Sequence, residues 1–392
     1  NLLNGVSGAG PITHFDASKF KTQFACEVKN FNPNDFIDRK EARKMDLYTQ
    51  YAVVAAKEAV ADSGLDVDTE DLNKIGVILG VGIGGIRTFE EEVAGYEQTK
   101  DTIGPKFSPF FIPMMIANLA AGQVAITYKL HGPSSCVVTA CATGTNCIGD
   151  AFRVIQEGKA DVMVAGGTEA AISQAAVAGF AAMKALCMDH NDDPEHASRP
   201  FDKNRSGFVM GEGAGLVILE SLEHAKARGA HIYAELAGYG ANSDAYHMTS
   251  PAPGGEYQAK CMQLAIDDAG LQAADADYVN AHGTSTHLND EGESLAIKAV
   301  WGEHAKDVSV SSIKSMTGHL LGAAGGIEAV ATALTVERDM MPPTINYETP
   351  DEGLDLDYVP NKARAKKVRA AISNNFGFGG HNACIVMKKY TE

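Results

Sequence analysis

The chain has 392 residues, 45% of them hydrophobic and 21% charged, with 33 Lys and Arg against 50 Asp and Glu and a formal charge of −17 at neutral pH. That length suits two domains or a duplicated one with an ample core, and the acidic balance excludes nucleic acid as partner, because a phosphate backbone selects a basic surface. No apolar run reaches a membrane span, since 175–183 stops at Lys184 and 320–334 contains Glu328, and Asn1-Leu-Leu-Asn-Gly lacks a signal peptide's basic start and apolar core, so a cytoplasmic location is expected.

Residues 1–40 are rich in loop-forming Gly and Pro. Arg39, Lys40, Arg43 and Lys44 follow in a short run. They read either as a solvated helix face or as the local basic patch that an acidic partner would need on so acidic a protein. Apolar spacing predicts a helix from Met45 to Ala61, closed by Ser63-Gly64. Residues 74–80 predict a buried strand running into Gly80-Val-Gly82-Ile-Gly84-Gly85, which satisfies the dinucleotide pattern G-x-G-x-x-G. Glu90, Glu91 and Glu92 put acid where a helix would receive pyrophosphate, and no second strand ends in an acidic ribose ligand, so a glycine turn for close backbone packing is the preferred reading.

At Val137-Val-Thr-Ala-Cys141 a β-branched run reads as a strand ending at a cysteine, after which Ile148, Ala151, Phe152 and Ile155 recur at helical spacing. A cysteine at such a corner sits by the free N–H groups of a helix, which favour the thiolate, so a lowered thiol pKa is expected. Small neighbours (Ala140, Ala142, Gly144) leave room for a carbonyl to reach the sulfur, which suits acyl transfer; the alternative is a buried inert thiol. The seven cysteines, irregularly spaced, read as reduced thiols.

Residues 161–167 and 215–220 predict further buried strands. From about residue 230 the pattern restarts: strand 232–239, helix 257–269, strand 276–281 ending at His282, strand 308–313 ending at Lys314, helix 323–336, and a strand pair at 369–374 and 383–388. Strands alternating with helices predict an α/β protein with largely parallel sheets, built as two like halves, 1–229 and 230–392.

Three polar sets fall at strand ends in the second half: Asn280-Ala-His282-Gly-Thr284-Ser-Thr286, Lys314-Ser-Met-Thr-Gly-His319 with Glu328 beyond it, and Asn374-Asn-Phe376-Gly-Phe378-Gly-Gly-His381. His282 and His319 are flanked by Gly, Ser and Thr rather than bulky residues. Two imidazoles facing a thiol can stabilise charge on a carbonyl oxygen without a metal. Spacings of five and six residues among Cys136, Cys141 and Cys147 do not match structural zinc, and no metal is expected.

Together, Thr-Ala-Cys141-Ala-Thr-Gly, Asn-Ala-His282-Gly-Thr-Ser-Thr, Ser-Ser-Ile-Lys314-Ser-Met-Thr-Gly-His319 and Asn-Phe-Gly-Phe-Gly-Gly resemble the β-ketoacyl-[acyl-carrier-protein] synthases, in the family's order and over nearly the whole chain, most closely the elongating type II enzymes. The resemblance implies a thiolase-like, five-layered αβαβα fold of two duplicated halves, working as a homodimer without cofactor. It implies decarboxylative Claisen condensation of an acyl-Cys141 with malonyl-carrier protein. In that scheme Cys141 is the nucleophile, its N–H and that of Phe378 form the oxyanion hole, and His282 and His319 hydrogen-bond the malonyl thioester oxygen. Lys314 and Glu328 form a buried pair that organises the histidines.

By the same resemblance Thr284 and Thr286 bind the pantetheine amides, Phe378 gates the pockets, Phe376 belongs to the substrate site, and Ile83 lines the acyl pocket. Lys40, Arg43 and Lys44, with Lys184 as an outlier, dock the acidic acyl carrier protein. The family's opening strand and helix find no match ahead of Leu2, which leaves either an incomplete chain or an altered first half-sheet. A priming synthase would carry Asn in place of His319, and a thiolase a second cysteine in the Phe378-Gly-Gly-His381 region; a non-catalytic chain-length-factor subunit would lack Cys141. Type I and polyketide ketosynthases share the same residues and stay open as alternatives.

Overall fold

The structure, a computed structural model, describes residues 1–104 and 106–391. Its centre is two sheets whose strands alternate between two apolar environments. In the first sheet Ser134–Ser135 (β2), Ile75–Gly80 (β1) and Val162–Glu169 (β3) run parallel in that order, and Gly213–Glu220 (β4) closes the edge antiparallel. In the second, Ser309–Ser311 (β7), Tyr278–Asn280 (β6) and Ala370–Gly377 (β8) run parallel, His381–Lys388 (β9) lies antiparallel to β8, and Glu235–Ser243 (β5) lies outside β9. The two orders superpose strand for strand, with β5 alone lacking a counterpart among the described residues of the first half.

Successive strand residues face opposite sides, and the packing follows that rule. Val77, Leu79, Val162 and Val164 join an outer core with Leu47–Ser63 (α1) and Leu119–Tyr128 (α4), while their neighbours Ile78, Met163 and Ala165 face inward. Inward they meet Thr143–Gln156 (α5) and Ala324–Arg338 (α9), whose other side takes Tyr278, Ala371, Ile385 and Met387 of the second sheet. Val279, Ile372, Cys384 and Val386 point the other way, to Glu256–Asp268 (α7) and His287–Trp301 (α8). Strands apolar on both faces need helices on both, and the result is five layers, α-β-α-β-α.

The middle helices α5 and α9 occupy equivalent places in the two halves and cross closely. A Cβ on Gly144 would lie 2.7 Å from the backbone nitrogen of Gly326. Helix α1 is set by its ends: Asp46 accepts the Tyr48 N–H at the start, and Gly64, with φ of 66°, turns the chain at the end.

Most elements lie within a few residues of their sequence positions. Two expectations are corrected. The strand before Cys141 ends at Ser135 rather than Thr139, because Val137 serves the middle-layer core and Thr139 spends its groups locally: its N–H donates to Thr143 Oγ1 at 2.8 Å and its hydroxyl to Asn146 Oδ1 at 2.6 Å. The expected strand 232–239 begins at Glu235 and runs to Ser243, in register with the whole of β9.

The glycine motif does turn into a helix, Ile86–Thr99 (α2). Its amides are nonetheless committed inside the protein, as described below. A Cβ on Gly85 would fall 2.3 Å from the Met114 carbonyl oxygen, so these glycines admit close backbone, the preferred reading.

Candidate active site

Cys141 sits in a single 3₁₀ turn, Ala140–Ala142, that leads into α5. Ala140 holds φ of 50°, a strained value for a residue with a side chain, and the turn presents the sulfur to a cavity of roughly 450 Å3. The same cavity is lined by His282, His319, Phe376, Phe378, Thr284, Thr286, Ile83 and Lys184, so side chains from both halves converge on the thiol. The N–H of Phe378 is directed at the Cys141 sulfur. That approach requires Gly377, whose added Cβ would lie 2.6 Å from the Thr139 carbonyl oxygen and 3.1 Å from the Cys141 nitrogen.

The expected low thiol pKa is not what the surroundings produce. Burial pushes the Cys141 thiol up to about 12, against the opposing pull of the Lys314 charge and the Phe378 N–H. Desolvation outweighs the helix end because the sulfur is buried in an apolar cluster that solvates its charge poorly. That shift favours the thiol form of Cys141 over the thiolate.

His282 and His319 pack edge to face, ring centroids 5.2 Å apart. Burial first, and the nearby Lys314 ammonium second, hold both well below the ordinary histidine value of 6.5. Both are neutral at physiological pH. The Leu321 N–H donates to Nδ1 of His319 at 3.3 Å, so that ring carries its proton on Nε2. Asn375 Nδ2 lies 3.3 Å from Nδ1 of His282, and the His282 ring donates a hydrogen bond to the Phe376 backbone carbonyl. The His282 loop is anchored by Glu293 of α8, whose carboxylate accepts the N–H groups of His282 and Gly283, each at 2.8 Å.

Lys314, 1% exposed, pairs through Nζ with Glu328 Oε1 on α9. Removing either partner alone would leave a buried charge uncompensated. Burial raises the Glu328 carboxyl while Lys314 opposes it, and Asn375 Nδ2 donates to Glu328 Oε2 at 2.7 Å. Asn375 is in turn held by the Thr145 hydroxyl of α5. A polar chain thus runs from the nucleophile's helix to the Lys314–Glu328 pair and His282. The sequence motifs assign no role to either residue, although Asn375 lies inside the Asn374–His381 set and Thr145 directly follows Gly144 of the Cys141 motif.

Thr284 and Thr286 face each other with hydroxyls 2.9 Å apart. Ile83 is 40% exposed although it lines the cavity. Phe180 and Phe208 complete an aromatic wall, Phe208 against His319 at 5.2 Å and Phe180 against Phe378 at 6.4 Å. Lys40 and Arg43 are exposed and Lys44 pairs with Glu41 at 2.7 Å; of the basic residues singled out, Lys184 alone lines the cavity. Among the described residues no group of three or more His, Cys, Asp or Glu could hold a metal, and no helix is long and apolar enough to cross a membrane.

Comparison with known proteins converges on one family. Residues 1–225 match the β-ketoacyl synthase N-terminal domain and residues 233–348 its C-terminal domain. A 3-oxoacyl-[acyl-carrier-protein] synthase 2 of Staphylococcus aureus (strain COL) is 54% identical, covering 100% of this chain and 93% of its own length; one from Synechocystis sp. is 52% identical, with 99% and 92% covered. Among solved structures, a chain of a type II polyketide-synthase acyl-carrier protein complex with its ketosynthase superposes with a TM-score of 0.90 at 36% identity, covering 100% and 94%. A β-ketoacyl synthase from Burkholderia phymatum STM815 gives 0.88 at 36%, with the same coverage.

Proposed function

The chain belongs to the β-ketoacyl synthase family, and we propose that its cavity divides the elongating condensation between the two halves, 1–229 supplying the nucleophile and 230–392 the groups that generate the carbanion. The reaction is decarboxylative Claisen condensation in fatty-acid elongation, an acyltransferase chemistry. The observation that carries the assignment of residues is the meeting of Cys141, the Phe378 N–H and two neutral histidines in one cavity.

Cys141 attacks the thioester of an acyl-carrier protein. A new S–C bond forms, the carrier's C–S bond breaks, and the thiol proton leaves on the carrier's sulfur. The N–H groups of Cys141 and Phe378 hold the oxyanion. Malonyl-carrier protein then enters past Phe378, its pantetheine amides on Thr284 and Thr286, with Phe376 against the substrate. His282 and His319 hydrogen-bond the thioester oxygen, His319 from Nε2, and CO2 departs leaving the electron pair on the enolate. Neutral imidazole suits this step, since it donates a hydrogen bond without having to protonate the enolate. The enolate carbon attacks acyl-Cys141, the new C–C bond forms as the S–C bond breaks, and a proton from solvent restores the thiol. Lys314, held by Glu328, fixes the histidines and biases them to the neutral form.

The acyl carrier protein is the partner, with Lys40, Arg43, Lys44 and Lys184 as its docking residues. A second copy of the chain covers the apolar face of α2 and the following helix Phe111–Met115 (α3). There Phe89, Phe107 and Ile112 are exposed and Phe89, Phe111 and Phe107 stack in series. A polyketide role finds support in the 36–37% identical ketosynthases among the solved structures, but the 52–54% relatives favour fatty-acid elongation.

Intact-protein mass spectrometry after incubation with acyl-carrier protein tests the assignment. The chain gains one acyl mass and its Cys141→Ala variant gains none; equal acylation of both would place the nucleophile elsewhere.

A further inference from the structure

The glycine loop after β1 holds a carboxyl group, and that group is the protein's own: burial pushes Glu169 up to about 7, against the opposing pull of the Gly322, Gly82 and Ile83 N–H groups. Glu169, at the end of β3, is fully buried. Its Oε2 accepts the N–H of Gly82 at 2.8 Å and that of Gly322 at 3.1 Å, and its Oε1 accepts the N–H of Ile83 at 3.3 Å. No cation pairs with it among the described residues. The fit is close from every side: a Cβ on Gly82 would lie 2.6 Å from Oε2, and one on Gly322 would lie 2.1 Å from the Gly82 nitrogen.

These donors come from the two loops that bracket the thiol. Ile83 lines one part of the cavity. Gly322 follows Leu321, which also lines it, is held at φ of 49°, and gives its N–H to His319. One carboxylate therefore sets the separation of two apolar wall residues, at the point where each loop leaves its element. An apolar pocket discriminates chains by the wall contacts each methylene finds.

We propose that Glu169 is a positioning residue that determines acyl-chain specificity: by clamping the Ile83 and Leu321 loops together it sets the length of acyl group that Cys141 accepts. This rests on the condensation proposed above. Glu169→Gln keeps the shape but replaces one acceptor oxygen by an NH2 group. Set at the Oε2 place that group would face two N–H donors, so it settles at Oε1 and confronts the Ile83 N–H. The disturbance falls on the wall residue.

The test compares the full chain, Glu169→Gln and Glu169→Asp, measuring by mass spectrometry the rate of Cys141 acylation from butyryl- and from myristoyl-carrier protein, with the melting temperature of each variant alongside. The ratio of the two rates shifts by about tenfold or more in Glu169→Gln, and in the same direction in the shorter Glu169→Asp. A general loss of folded protein would lower both rates together and leave the ratio alone. An unchanged ratio, with the unmodified chain acylating normally, overturns the inference by itself. An unmodified chain that takes no acyl group from either donor overturns the condensation reading and this inference with it.

Discussion

At the scale of single residues, the site depends on desolvation more than on charge. Cys141, His282 and His319 are all held in their neutral forms by burial, with Lys314 reinforcing the effect on the histidines and opposing it on the thiol. For the histidines the sign is definite. Below the ordinary value of 6.5 the unfolded chain binds protons that the folded rings refuse, so the two residues withdraw stability as pH falls through that value. The neutral form persists meanwhile. Malonyl decarboxylation per folded enzyme is therefore expected to stay flat between about pH 8 and about pH 6, and His319→Ala to suppress decarboxylation more than Cys141 loading. A midpoint near 6.5 in the pH profile, or equal loss of both half-reactions, would contradict the roles given to these rings.

At the scale of elements, the crossing of α5 and α9 places the nucleophile's helix against the helix that bears Glu328. Because a Cβ on Gly144 would sit 2.7 Å from backbone rather than from a flexible side chain, Gly144→Ala must part the helices. A cost of about 1–3 kcal/mol is expected, the usual range for overpacking, seen as a lower melting temperature. Acylation should fall with it, since Thr145, the next residue, holds Asn375. A variant as stable and active as the parent would show that the crossing has slack. The sequence showed both helices by their periodicity, whereas the crossing was not visible, because a glycine has no pattern that names its partner.

At the scale of the whole molecule, the two proposed interfaces rest on charge and on exposed apolar surface. On a chain of formal charge −17, the proposed docking cluster of Lys40, Arg43 and Lys44 would attract an acidic carrier by local field, an effect that salt screens. Reversing the three charges should raise the apparent KM for carrier protein several-fold, with the gap narrowing at high salt, while thiol reactivity with a small alkylating agent is unchanged. Unaltered turnover would move the docking surface elsewhere. On the opposite count, Phe111→Glu with Ile112→Asp should convert a dimer to a monomer by light scattering. A parent chain that is already monomeric would refute the dimer.

The sequence by itself determined the elements and the chemistry they carry. Alternating apolar strands and periodic helices follow from side-chain direction, and Cys141, His282 and His319 stood out because short motifs keep them beside glycine and small residues, whereas Lys314 and Glu328 were picked out only by the family resemblance. The tertiary structure alone decided how those groups behave. Whether Cys141 rests as a thiol depends on how completely two halves of the chain exclude water from it. Glu169 holds a glycine loop that in sequence resembles a phosphate cradle, because residues 82, 169 and 322 meet only after the sheets and middle helices have packed. Solvation and long-range contact belong to the folded volume, and a linear pattern of residues does not contain them.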